Sequence, residues 1–216
     1  MKTIVVTSQK GGSGKTTLTA SLAVAAEQIK ADSVLLIDTD PQNTLTTWRN
    51  AREAKTPQLV PVSIDQLPEK IKALRKSGFD YCFIDTPPAL TKQNQQAIML
   101  ADLVIIPTRP SPNDIWSLGA TLDLVQQSSA PFVFVLNQAK SNTRITLQSL
   151  AALSEHGPVL QTIIHDRVDY AAAMTDGRVA FEVNPSGAAA NEIKELWRNV
   201  YNKVNKSGER RVKKYA

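Results

Sequence analysis

The chain of 216 residues is short of several things, and each shortage excludes a class of protein. It has one cysteine, Cys82. A lone cysteine cannot close an internal disulfide or build a CxxC metal or cluster motif, so a reducing, cytosolic setting is expected. Its two histidines, His156 and His165, share no metal-ligand spacing and read as ordinary surface or turn residues. No apolar run approaches the roughly 20 residues of a membrane-spanning helix. The apolar start, Ile4 to Val6, is too short for a signal sequence and leads straight into a glycine-rich turn. No linker, repeat or low-complexity stretch interrupts the chain. One domain is therefore expected over 1–206, followed by a basic tail over 207–216 that is expected to fray.

Hydrophobic residues at 42% and charged residues at 21% suit a globular domain with a sizeable core. The net charge is +5, and its placement matters more than its size. From Asn191 onward eight basic residues face three acids, so the rest of the chain balances to zero. Such asymmetry suggests a local footprint for a polyanion, although a solvated helix with a basic tail has the same composition.

Short apolar runs alternate with helical patterns, as in βαβ units of a mainly parallel sheet. The expected strands are 3–7, 33–38, 59–63, 81–85, 103–107 and 131–137, with a weaker one at 159–164. Most are continuously apolar, as strands buried on both faces are. The expected helices are about 15–30, 43–55, 65–77, 91–100, 112–127, 143–155, 168–176 and 188–205. Pro68 and Pro112 suit first turns, and Gly78 and Gly157 suit helix exits.

The stretch TIVVTSQKGGSGKTT reads as strand, glycine-rich turn and helix, the context a phosphate loop requires. Gly11, Gly12, Ser13 and Gly14 can turn backbone N–H groups inward around phosphates, and the following helix adds its positive end. Lys15 can reach the outer phosphates, Thr16 can ligate Mg²⁺, and Thr17 completes the run of loop residues expected to bind the nucleotide. The common pattern G-x-x-x-x-G-K-[ST] would put its first glycine at position 9. Gln9 stands there instead, followed by Lys10.

KGGSGKTT resembles the deviant Walker A motif, KGGxGK[ST], of the ParA/MinD family of ATPases. The resemblance implies a three-layer P-loop NTPase fold, with a mainly parallel twisted sheet flanked by helices. It implies ATP/ADP and Mg²⁺ as ligands. It also implies that Lys10 reaches across an ATP-bridged homodimer to the partner's phosphates, as an arginine finger does. DTDPQ at 38–42 resembles the family's second motif. There Asp38 would help position the attacking water and the Mg²⁺ shell. Asp40 would belong to the first switch segment, or would cap the helix after it. YCFIDTPP resembles a Walker B strand whose Asp85 holds Mg²⁺ through water, with Thr86-Pro87-Pro88 as the second switch. No separate glutamate base follows Asp85, so slow, partner-stimulated hydrolysis is expected.

Pro107, Pro110 and Pro112 would stiffen a loop near the nucleotide and dimer face, or only a rigid turn before a helix. Asn137 ends a strand where the family uses an asparagine toward adenine, and a turn-forming role stays open. Arg167, Tyr170, Gly177, Val179 and Glu182 match the family's late pattern. For Arg167, DNA contact, the dimer face and local ion pairing are all open.

Ile193, Leu196, Trp197, Val200 and Val204 fall on one helix face, with Lys194 and Arg198 on the other. Trp197 reads as a core anchor. The resemblance implies nonspecific DNA binding through Lys194, Arg198 and Arg167, with a ParB-like or small centromere-binding partner and a nucleoid-associated place in a bacterial cytoplasm. KSGERRVKKYA lacks the apolar face of a membrane-targeting tail, so no membrane is expected. The lone cysteine excludes the iron–sulfur relatives. The loop begins by residue 9, as in short relatives without an N-terminal DNA-reading domain. Three functions are compatible with these residues. One is a partition ATPase for a plasmid or chromosome. Another is the same switch moving a protein cargo such as a chemoreceptor cluster, carboxysome or secretion complex. The third is a small-molecule ligase resembling dethiobiotin synthetase, which would need neither Lys10 nor a basic late helix.

Overall fold

The continuously apolar runs become strands because both of their faces are covered. The computed structural model describes residues 1–30, 32–88 and 92–214; for 92, 93 and 206–214 it describes the backbone alone. The strands are β1 (Lys2–Val6), β2 (Val34–Asp38), β3 (Gln58–Leu59), β4 (Tyr81–Asp85), β5 (Leu103–Thr108) and β6 (Phe132–Leu136). They form one sheet in the order β3-β2-β4-β1-β5-β6, and every pairing is parallel. Successive residues in β1 go to opposite cores: Ile4 and Val6 to one, Val5 to the other. Apolar residues at every position are therefore needed, which is why these strands do not alternate.

The helices are α1 (Lys15–Lys30), α2 (Thr44–Ala51), α3 (Leu67–Leu74), α4 (Lys92–Met99), α5 (Pro112–Trp116), α6 (Leu118–Ser128), α7 (Arg144–His156), α8 (Val168–Met174), α9 (Ala180–Val183) and α10 (Ala188–Lys214). One face of the sheet carries α1, α2, α8, α9 and α10, and the other carries α3, α4, α6 and α7. The result is a three-layer arrangement. Helix α1 is buried without a break from Leu18 to Ala26. The sheet lies on one side of it and α10, α2 and α8 on the other. Its small Ala, Ser and Thr residues permit that double packing, and an all-round apolar helix belongs inside.

Helix α10 shows the apolar face that its spacing predicts. Ile193, Leu196, Trp197, Val200 and Val204 are all buried. Trp197 is the largest of the fully buried side chains and packs edge-on to Tyr81 at 5.1 Å and Tyr201 at 6.0 Å between ring centroids. The basic side chains from Lys206 onward lie outside the described side chains, and Tyr215 and Ala216 outside the described residues.

Several expected elements differ. The 159–164 segment is not a strand. It meets β6 at two separate points, the bridge Phe134–Val159 and the Ile164 N–H donating to the Leu136 carbonyl at 3.0 Å, and just past β6 it forms the bridge Ala139–His165. Between them the chain turns inward, and Thr162 accepts a hydrogen bond from Asn199 Nδ2 of α10 at 2.7 Å. The expected helix at 112–127 is two helices. It breaks at Ser117, whose hydroxyl donates to the Asp114 carbonyl at 2.8 Å and competes with the helical ladder. Pro107 lies inside β5, opposite Val135, beyond the last residue of β5 that pairs with β1, so its missing N–H breaks no bond there. Helix α9 is one turn long and carried no periodic signal.

The late pattern has a structural basis. Glu182 receives both ends of the Arg52 guanidinium at 2.7 Å each and the Val179 N–H at 3.0 Å. Gly177 has φ +76°, and a Cβ there would lie 2.3 Å from the Arg52 backbone nitrogen. Only glycine allows that approach. Tyr170 is buried and bonds to α10.

Replacing Trp197 by alanine should lower unfolding free energy by about 3–5 kcal/mol, the usual cost of emptying a buried aromatic site. Urea denaturation followed by circular dichroism reads this directly; a loss under about 1 kcal/mol would mean that α10 is not anchored through Trp197.

Candidate nucleotide site

The phosphate loop leaves β1 at Thr7 and enters α1 at Lys15. It is braced by side chains from the far side of the sheet. Asn137 Nδ2 donates to the Ser13 carbonyl at 2.7 Å, and Gln138 Nε2 donates to the Gly12 carbonyl at 2.9 Å. The peptide unit is planar and trans, so a carbonyl turned toward β6 sends the next N–H the opposite way. The N–H groups of Ser13 and Gly14 are thereby turned away from the brace. Inside the loop, the Ser8 and Ser13 hydroxyls share a hydrogen bond at 2.7 Å, and the Ser8 hydroxyl also donates to the Lys10 carbonyl at 3.1 Å.

Gly12 and Gly14 have φ of +72° and +87°, where a side chain is strained. A Cβ on Gly14 would also lie 2.2 Å from Asn137 Nδ2. The glycine and the asparagine are therefore one device. Gly11 has open space around it.

Gly11, Gly12, Gly14, Lys15, Thr16 and Thr17 line a cavity of about 240 Å³, closed on the far side by Asp40, Gln42, Thr44 and Pro88. The Lys15 side chain is buried. Desolvation lowers its pKa, and the charges of Asp85 and Asp40 act against that shift. Its ammonium donates to the Lys10 carbonyl at 3.4 Å.

Adjacent strand ends supply the carboxylates, since Asp38 of β2 and Asp85 of β4 are register partners. Asp85 is fully buried and accepts from the Thr16 hydroxyl at 2.6 Å. Burial pushes its carboxyl up to about 7, against the Thr16 bond and with help from Asp38. Asp38 accepts from the Thr46 N–H and hydroxyl, both at 2.9 Å, and from the Asp40 N–H at 3.1 Å. Asp38 rather than Asp40 thus caps α2. The residue at the N-cap position, Asn43, is left-handed and makes no side-chain cap bond. Asp40 instead accepts from the Gln42 N–H at 2.9 Å and shapes the turn.

Among the described residues no cluster of three or more His, Cys, Asp or Glu side chains could cage a metal. The oxygens at this end are the Thr16 hydroxyl and the carboxylates of Asp85 and Asp38. A few hard oxygens beside a phosphate cavity suit Mg²⁺, which keeps several waters and leans on substrate phosphates. A bound cation would also stabilise the charge that burial disfavours on Asp85.

The Lys10 side chain is half-buried, and its ammonium has no hydrogen-bond or ion-pair partner among the described residues. Its neighbours in a narrow cleft include Ser8, Pro107, Thr108 and Asp114. Beside it, Arg109 is clipped to the buried Asp114 at 2.9 and 3.0 Å, with Nη1 3.6 Å from the Cβ position of Gly12. Sequence reading missed Arg109, Asp114 and Gln138; a basic and an acidic residue flanking Pro110 and Pro112 were the available signal.

A second cavity of about 140 Å³ shares Gly14 and Thr17 with the first. It extends past Leu18, Asn137 and Gln138 to the segment beginning at Ile164. Arg167 lines it and is paired with Glu192 of α10, Nη2 donating at 2.7 Å. Lys194 and Arg198 sit elsewhere, one turn apart on the outer side of α10. Arg198 is exposed, and the Lys194 ammonium donates to the Pro185 carbonyl at 2.8 Å. No described helix is long and apolar enough to cross a membrane.

Residues 4–180 match the family described as the CobQ/CobB/MinD/ParA nucleotide binding domain. Maintenance of carboxysome distribution protein A of Halothiobacillus neapolitanus is 28% identical over 208 residues, covering 92% of this chain and 95% of its own. Chromosome-partitioning ATPase Soj of Thermus thermophilus is 26% identical over 242 residues, covering 94% and 97%. Among solved structures, the MinC:MinD cell division protein complex of Aquifex aeolicus has the same fold, with TM-score 0.80, 19% identity and coverage of 94% of this chain and 96% of that one. The glycine loop on an all-parallel sheet and the family match over most of its length agree: the chain belongs to the ParA/MinD family of P-loop ATPases.

Proposed function

We propose that this chain is a ParA-type ATPase switch. ATP bridges two copies into a sandwich dimer, the dimer holds DNA without regard to sequence, and a ParB-like or small centromere-binding partner stimulates hydrolysis and releases it. The cargo is a plasmid or chromosome. The observation that carries this reading is the ammonium of Lys10, without a partner among the described residues, beside a fully formed phosphate loop. Its backbone is fixed, because its carbonyl accepts from both Ser8 and Lys15. A cation so placed has no task within its own subunit and serves a partner's phosphates, where charge develops during transfer.

The other roles follow from position. The loop N–H groups and Lys15 hold the phosphates. Thr16 and Asp85 would hold Mg²⁺, which would supply charge neutralisation at the transferring phosphoryl group. Asp38 orients the attacking water, and its bonds to Thr46 and Asp40 fix its direction. Asn137 contributes at the adenine end while bracing the loop. With no glutamate base beside Asp85, hydrolysis is slow and acts as a timer. Lys194 and Arg198 meet DNA phosphates from α10, giving affinity that depends on salt.

A second reading keeps the switch and changes the cargo to a protein body. The similarity to a carboxysome distribution protein favours it. A small DNA-binding protein encoded next door would favour partition.

Lys10→Ala should leave ATP binding unchanged and abolish ATP-dependent dimerisation, read by light scattering, together with ATP-dependent DNA retention. Unchanged dimerisation would favour the small-molecule ligase reading, and equal DNA retention with ATP, ADP and no nucleotide would refute the switch. Arg198→Ala should weaken binding to all DNA sequences alike and reduce the slope of log affinity against log salt by about 1. An unchanged slope would remove Arg198 from the DNA face.

A further inference from the structure

We propose that Glu192 is the positioning residue for the nucleoside end of the site, fixing the cavity wall that follows Ile164 and tying it to the basic helix α10. The inference rests on reading this as an ATP site. The two cavities meet at Gly14 and Thr17. The first carries Lys15, Thr16 and the nearby carboxylates, so it takes the outer phosphates and the metal. The second opens on the opposite side of Gly14 and is where the base and ribose must go.

The wall of this second cavity is formed by His165, Asp166, Arg167, Tyr170 and Ala171. Regular structure begins only at Val168, and the preceding stretch is tied to β6 and the residues after it through backbone bonds at Ile164 and Asp166, to Leu136 and Ala139. What gathers its side chains is one carboxylate. Glu192 Oε1 accepts from His165 Nδ1 at 2.8 Å, Arg167 Nε at 3.0 Å and Arg167 Nη2 at 2.7 Å. Glu192 Oε2 accepts from the Tyr170 hydroxyl at 2.8 Å and the His165 backbone N–H at 3.2 Å. An ionised carboxylate has about four lone-pair sites, so these donors saturate it. Burial works against its charge, but the bonds from Arg167, His165 and Tyr170 prevail and hold its carboxyl below the usual range.

The carboxylate also sets chemistry inside the cavity. It can only accept, so the Nδ1 of His165 must be the protonated nitrogen. It also offsets the charge of Arg167 in a site meant for an uncharged nucleoside. Glu192 itself lies one turn from Leu196 and Trp197 on a helix locked into the core. The wall is thereby referenced to the most rigid part of the fold, and the helix that carries Lys194 and Arg198 senses the same contact.

Isothermal titration with ATP and with inorganic tripolyphosphate tests this, because tripolyphosphate uses the phosphate loop alone. In the wild type ATP should bind more tightly than tripolyphosphate. Glu192→Gln, close to isosteric, should weaken ATP at least about tenfold and leave tripolyphosphate unchanged. Tyr170→Phe, which removes one donor and keeps the carboxylate, should show the same pattern at smaller size, and it carries the test if Glu192→Gln does not fold. ATP affinity unchanged in both folded variants, or ATP and tripolyphosphate weakening in parallel, overturns the proposal. A wild type that binds ATP no better than tripolyphosphate overturns the ATP-site reading itself and the inference with it.

Discussion

Two side-chain amides at the end of β6 keep the phosphate loop in shape, and most of the site is arranged around that brace. Asn137 takes the carbonyl of Ser13, and Gln138 takes that of Gly12. For the first contact to form, position 14 must be glycine, because any Cβ would sit on the Asn137 amide. For the amides to reach the loop at all, the ends of β1, β5 and β6 must stand side by side, as the sheet order provides. The sheet order in turn requires α1 to lie flat across the strands, buried on nearly every side, so that its first turn opens at the loop. A loop made rigid by distant residues can present N–H groups to an anion without reorganising when the anion arrives.

The same geometry explains the charges. Lys15 and Asp85 are both buried, and burial disfavours the charged form of each. Their mutual attraction only partly offsets this. An anion against the lysine and a divalent cation near the carboxylate would relieve both at once. Lys10 and Arg109 lie on the other side of the loop and differ in kind. Arg109 is neutralised by Asp114, whereas Lys10 has no ion pair among the described residues.

Much of this was legible in the sequence. Glycine spacing located the loop, continuous apolar runs located five strands, and helical spacing located the buried face of α10. What stayed hidden depends on partners far apart in the chain. Glu182 stands out in the late pattern, but its partner Arg52 is 130 residues away and nothing local marks it. Glu192 reads as one more charge on a polar helix face until five donors from three residues of the 165–170 segment converge on it. Asp38 caps α2 from eight residues upstream, whereas Asp40, the acid read as a possible cap, shapes the turn between them. The 159–164 run is apolar enough for a strand, but an asparagine on α10 takes Thr162, and the chain leaves β6 between two bridges.

Helix α2 is held very unequally at its two ends. At the far end Trp48 donates to the Arg178 carbonyl at 3.0 Å, Arg49 bonds to the Pro57 and Lys55 carbonyls, and Arg52 is locked to Glu182 and the Gly177 carbonyl. At the near end the side-chain hold is Asp38 on Thr46. Mechanically this is a short lever with a fixed pivot at Arg52 and a catch at Asp38. A shift of Asp38 toward the phosphates would free the first turn of the helix from that catch, while Leu45 and Trp48, buried in the core, keep its body in place.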